Sequence, residues 1–214
     1  GGCSKKSKMV TKSSNASDSQ DTKQVSSLEL AISVIDDVKV ALMEEGMAPQ
    51  EAQVIAAGAL VVVARLDKES GSDSSALLGL VDPLAPEVTI PMITGAAIEA
   101  LSDPRAGQAD ADGKLKYSAV IARGIVGSLG SAEASSVLTD AQRAALPGGV
   151  TKSAVANLGK AGLSGREISS GIGKVMEGAV SELKAIGFSS KVLRSVVSNM
   201  TKETVEGMKK VGVG

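Results

Sequence analysis

A chain of 214 residues with 43% hydrophobic side chains has enough apolar material for a sizeable core, in one ordinary domain or two small ones. It holds no His and one Cys, so it lacks the usual neutral-pH general base, the commonest zinc and copper ligand, any Ser-His or Cys-His nucleophile pair and any internal disulfide. Net charge is −1 and the only aromatic residues are Tyr117 and Phe188, which leaves almost nothing to stack on bases, sugars or flat cofactors. Composition therefore predicts a non-enzymatic protein with no cofactor and an aliphatic core.

The chain opens Gly1-Gly2-Cys3-Ser4-Lys5-Lys6, with a small residue directly before the lone Cys and Ser and Lys after it. Residues 4–23 are then mostly Ser, Thr, Lys, Asn, Asp and Gln, with only Met9, Val10 and Ala16 apolar, too little to offset the entropy of ordering the chain. This layout resembles that of bacterial lipoproteins, in which a lipidated Cys is followed by a polar tether and a folded body. The resemblance implies acylation of Cys3, attachment to a membrane through it, and residence in the bacterial cell envelope. Ser rather than Asp after the Cys implies the outer membrane in a Gram-negative cell. More than one acyl chain is expected, since a single chain gives only marginal membrane affinity.

Charge is distributed in three blocks. Residues 1–24 carry five Lys against two Asp, a net +3; residues 25–149 carry eight basic against seventeen acidic residues, a net −9; and residues 150–214 carry ten basic against five acidic, a net +5. These blocks suggest a tether over 1–24, an acidic helical body over 25–149 and a basic helical unit over 150–214, packed on the body as one domain. The basic unit is suited to an acidic protein partner or to the acidic part of another copy.

Helical periodicity begins near Val25, where Leu28, Ile32, Ile35, Val38 and Leu42 form one apolar stripe that Gly46 closes. Pro49 and Glu51 open a second helix running to about Arg65. Its stretch 54–64 carries no charge, yet at eleven residues it is too short to span a bilayer and predicts a buried central helix. Gly71 and the prolines at 83, 86, 91 and 104 then predict short helices over 76–81, 88–101 and 116–129, with a polar loop over 103–114. Thr139 and Asp140 start a further short helix, expected to end before Pro147-Gly148-Gly149.

A 25-residue regularity marks the last third: Gly162-Leu163-Ser164 returns as Gly187-Phe188-Ser189, and Gly212-Val213 follows at the same interval. In each unit Gly ends one helix and Ser caps the next. Helices over 150–161, 165–186 and 190–211 are expected to pack as antiparallel neighbours. The fold class is accordingly all-α, an irregular multi-helix bundle with a C-terminal antiparallel three-helix unit.

Other motifs point to packing more than to chemistry. Gly159, Gly162 and Gly165, like Gly124, Gly127 and Gly130, recur every third residue, a spacing that lets neighbouring backbones approach. Gly165 to Lys174 fails the spacing of a phosphate-binding loop, and Gly159 and Gly162 are too far apart for a helix-hairpin-helix. Nucleic-acid binding is the least favoured partner class, since a modest positive charge comes without stacking rings. Asp110-Ala111-Asp112-Gly113 matches only the centre of a calcium loop, because Gln108 and Ala119 stand where end ligands would be. No metal is expected at Asp110 and Asp112. The function that remains is a structural or protein-interaction module, with a carrier of apolar ligands as the alternative.

Overall fold

A computed structural model describes residues 19–71 and 82–212, with side-chain surroundings from residue 27 onward. Cys3, residues 1–18 of the tether expected over 1–24, and the short helix expected at 76–81 lie outside the described residues, while residues 19–24 of that expected tether belong to the first helix.

Helix α1, Ser19–Glu44, and helix α2, Pro49–Ser70, form the first pair. Gly46 turns the chain between them with φ 106°, and Lys39 Nζ donates to Gln53 Oε1 at 2.7 Å across the pair. Helix α3, Pro86–Glu99, follows and ends in two 3-10 turns, Ala100–Ser102 and Pro104–Ala106. Helix α4 spans Ala111–Ser128, α5 spans Ala132–Val137 and α6 spans Asp140–Ala156. After a run of turns, α7 spans Gly165–Ser181, α8 Leu183–Ile186 and α9 Ser190–Lys210. The described chain is an all-α multi-helix bundle.

Caps explain most boundaries. Asp110 accepts the Gly113 N–H at 2.8 Å, so α4 begins at residue 111 and not after a polar loop reaching 114. Thr139 with Gln142, and Ser164 with Glu167, form reciprocal capping boxes at the starts of α6 and α7. Ser189 accepts the Val192 N–H at the start of α9. Gly162 and Gly187 precede the last two long helices with φ 98° and 88°, a left-handed conformation that favours glycine, and Gly212 follows α9 with φ 73°.

Further boundaries differ from expectation. Helix α6 does not stop before Pro147-Gly148-Gly149 but runs through it to Ala156, so the division of the chain at 149 falls inside one helix. Pro and two Gly together disfavour an isolated helix by about 5 kcal/mol, yet here packing against two neighbours holds it. Pro147 and Gly148 are buried, a methyl added at Gly148 would overlap Asn199 and Glu203 of α9, and one added at Gly149 would meet Pro91 of α3 at 3.2 Å. The segment expected as one helix over 165–186 is divided at Glu182 into α7 and α8.

Helix α1 packs on α2, α4 and α5; α3 lies between α2 and α6; and α6 receives α9 on its far side. Helix α7 makes its main contact with α4, not with its sequence neighbours. Gly148 faces Asn199 while Gly207 faces Lys152, so α6 and α9 run in the same direction. The core is one continuous aliphatic cluster from Leu30 to Met200, taking residues from both sides of position 149, with half-buried Tyr117 and Phe188 at its edge. Most of the buried polar side chains bond locally or across the bundle: Thr94 to the Ile90 carbonyl at 2.9 Å, Thr204 to the Met200 carbonyl at 2.7 Å, and Ser128 to Asp37 at 2.6 Å. No helix among the described residues is long and apolar enough to cross a membrane.

Candidate interaction surface

The outer side of α2 is the least ordinary surface of the bundle. Ala52, Ile55, Ala56, Ala59 and Val63 face the core, and the same uncharged stretch turns Ala57, Leu60, Val61 and Ala64 to solvent. Val61 is 66% exposed and Leu60 39%. Residues 54–64 are therefore not a central helix buried on all sides, as their composition suggests. A helix in the outer layer of a bundle can bury only one face, so a run apolar all round leaves the remainder uncovered. Leu60 and Val61 cannot share one buried face with Ile55, Ala59 and Val63, but the sequence alone does not tell a central helix from a peripheral one.

A groove of about 570 Å³ opens between α2, α3, α6 and α9. Pro91, Gly95, Ala96 and Ala156 line its floor, and Arg65, Lys152, Lys160 and Lys210 share its rim with Glu87, Glu99 and Glu203. Ser153 Oγ donates to the Pro91 carbonyl at 2.6 Å and Asn157 Nδ2 to the Ser153 carbonyl at 2.7 Å, which ties the floor together. Lys152 pairs with Glu203 at 3.6 Å. The rim mixes both signs, and an aliphatic ligand lying here would desolvate several charges. A second hollow of about 470 Å³ between α4 and α7 is likewise ringed by Glu45, Asp112, Lys116, Arg123 and Lys174. Arg123 and Glu45 stand 3.4 Å apart within it, both partly exposed.

Two carboxyls at helix starts are held down by hydrogen bonds from neighbouring residues. The side-chain hydrogen bond from Arg105, and then its backbone N–H, hold the Asp103 carboxyl down to about 2. The Ser164 N–H holds the Glu167 carboxyl below its ordinary value. Asp110 is engaged in capping α4, Asp112 sits in the first turn, and no group of three or more potential ligands that could hold a metal occurs among the described residues. Gly165 and Lys174 both lie within α7, whose N-terminus is occupied by its own Ser164 and Glu167 cap. Gly46, Gly162, Ser164, Gly187, Ser189 and Gly212 all sit at helix ends, where they shape the backbone. No protein-family model matches the chain, and no curated protein matches it either.

Proposed function

We propose that the protein is a non-enzymatic helical lipoprotein, tethered to a membrane through acylated Cys3, that serves as a structural or protein-interaction module of the bacterial cell envelope. The observation that carries the interaction half is the uncharged outer face of α2, on which Val61 is 66% exposed and Leu60 39%. Exposed aliphatic side chains of this kind gain free energy when a partner removes them from water, about 25 cal/mol per Å² covered. The lipid half rests on the Gly2-Cys3-Ser4 start and the polar residues after it, which resemble a lipoprotein. The absence of His from the sequence supports a role without acid-base catalysis.

Intact mass of the protein purified from its own host, beside a Cys3→Ser variant, tests the anchor. Acyl mass on the wild type alone is expected, and an unmodified Cys3 removes that half of the reading. Proximity cross-linking in the same host tests the α2 face. Val61→Glu should abolish the cross-linked species while leaving thermal stability unchanged, and an unaltered pattern removes the interaction half.

A further inference from the structure

Helices α1 and α9 each carry one solvent-facing stripe, and the two stripes are opposite in sign. Along α1, Glu29, Ile32, Asp36, Val40 and Met43 are exposed at three- and four-residue steps, with Glu44 beside Met43. Along α9, Arg194, Ser198, Lys202, Val205 and Lys209 are exposed at similar steps. Such steps place each set on one side of its helix. Val40, Val205 and Ile32 are 52%, 45% and 41% exposed, so each stripe also offers aliphatic surface. Among the described residues neither stripe is covered: α1 uses its other sides against α2, α4 and α5, and α9 is held chiefly by α6.

The spacings match in reverse. Acidic residues stand at 29, 36 and 44, separated by seven and eight; basic residues stand at 194, 202 and 209, separated by eight and seven. Laid antiparallel, Glu29 meets Lys209, Asp36 meets Lys202 and Glu44 meets Arg194, while Ile32 falls beside Val205. Glu29, Asp36, Glu44, Arg194 and Lys202 form no salt bridge within the chain among the described residues. Lys209 reaches Glu206 at 3.5 Å, an exposed pair that is weak enough to be exchanged.

We infer that the chain associates with copies of itself head to tail, the acidic face of α1 on one copy lying antiparallel along the basic face of α9 on the next. The inference goes beyond the proposed function, naming a second copy of the chain as a partner, and needs neither the lipid nor the α2 face. Because the two faces differ, the contact is heterologous, and repetition extends a row of molecules instead of closing a two-fold pair. The charges set register and antiparallel sense, and the aliphatic residues between them add the non-directional attraction.

Sedimentation velocity of the full chain carrying Cys3→Ser, which removes acyl chains and disulfide dimers alike, tests this. At an ionic strength of about 0.05 M the sedimentation coefficient should rise with concentration, and about 0.5 M salt should weaken the association roughly tenfold or more as screening shortens. Asp36→Lys and Lys202→Glu, both at exposed positions, should each weaken it at least about tenfold, since like charges then face each other. An equimolar mixture of the two variants should recover association, because the intact α1 of one meets the intact α9 of the other. A wild type that stays monomeric at low salt, or a mixture no better than its components, overturns the inference. So does Lys202-dependent binding to phosphatidylglycerol vesicles by a protein that does not self-associate, which would assign the α9 stripe to lipid. If Val61→Glu still removes a cross-linked partner while the mixture fails to recover, the interaction reading stands and this one falls.

Discussion

Gly173 and Gly178 of helix α7 are two glycines that chemistry alone would treat alike. Gly173 is exposed, and a methyl group added there meets nothing within 4 Å. At Gly178 the same methyl would lie 2.7 Å from the carbonyl oxygen of Ala119 and 3.3 Å from its carbonyl carbon and Cβ, all on α4. Ala in place of Gly in a helix interior contributes roughly 1 kcal/mol by propensity at either site. Gly173→Ala should therefore raise stability by about 1 kcal/mol, a Tm increase of about 2–4 °C for a chain of this size. Gly178→Ala must separate α7 from α4 by several tenths of an ångström, an overpacking that costs about 1–3 kcal/mol before the propensity gain is subtracted. Its Tm should fall or at best stay level. The difference between the two variants, about 1–3 kcal/mol, isolates the close approach because propensity cancels. Thermal and urea unfolding followed by circular dichroism measures both. Equal stabilisation by the two substitutions would refute the proximity of α4 and α7.

Ser164→Ala removes the cap of α7 and should cost about 1 kcal/mol in the same unfolding assays, whereas Ser164→Asn or Ser164→Asp should retain most of it. The Asp103 carboxyl, held at about 2 against an ordinary 3.8, should titrate with its depressed midpoint in a carbon-detected NMR titration and return upward in Arg105→Ala. Since the folded value is the lower one, the stability that this contact contributes is present above pH 3.8 and is lost as pH falls through about 2. Wild type should accordingly lose its advantage over Arg105→Ala across that window, and a gap that persists below it would contradict the assignment. Gly207→Ala, whose methyl would lie 2.6 Å from the Lys152 carbonyl oxygen, should loosen α9 from α6 and raise amide exchange in α9 ahead of α4.

The all-α class was legible in the chain because several helix starts and ends, those of α7 and α9 among them, are written in residues a few positions apart. Ser164, Ser189 and Gly187 act within one turn, so no distant partner is needed to read them. The aliphatic character of the core was likewise fixed by composition, whatever the packing. Continuity through Pro147-Gly148-Gly149 was not legible, because local propensity argues for a break and the opposing term comes from α3 and α9, distant in sequence. The outer face of α2 was hidden for the same reason. An uncharged helix can be central or peripheral, and only the positions of α1 and α3 decide which of its sides lacks a neighbour. Charge in blocks could be counted from the sequence, but its arrangement as two opposed stripes required knowing which sides of α1 and α9 the bundle leaves open. Local hydrogen bonding is set by neighbours in the chain, whereas burial is set by neighbours in space, and the candidate surface depends on burial.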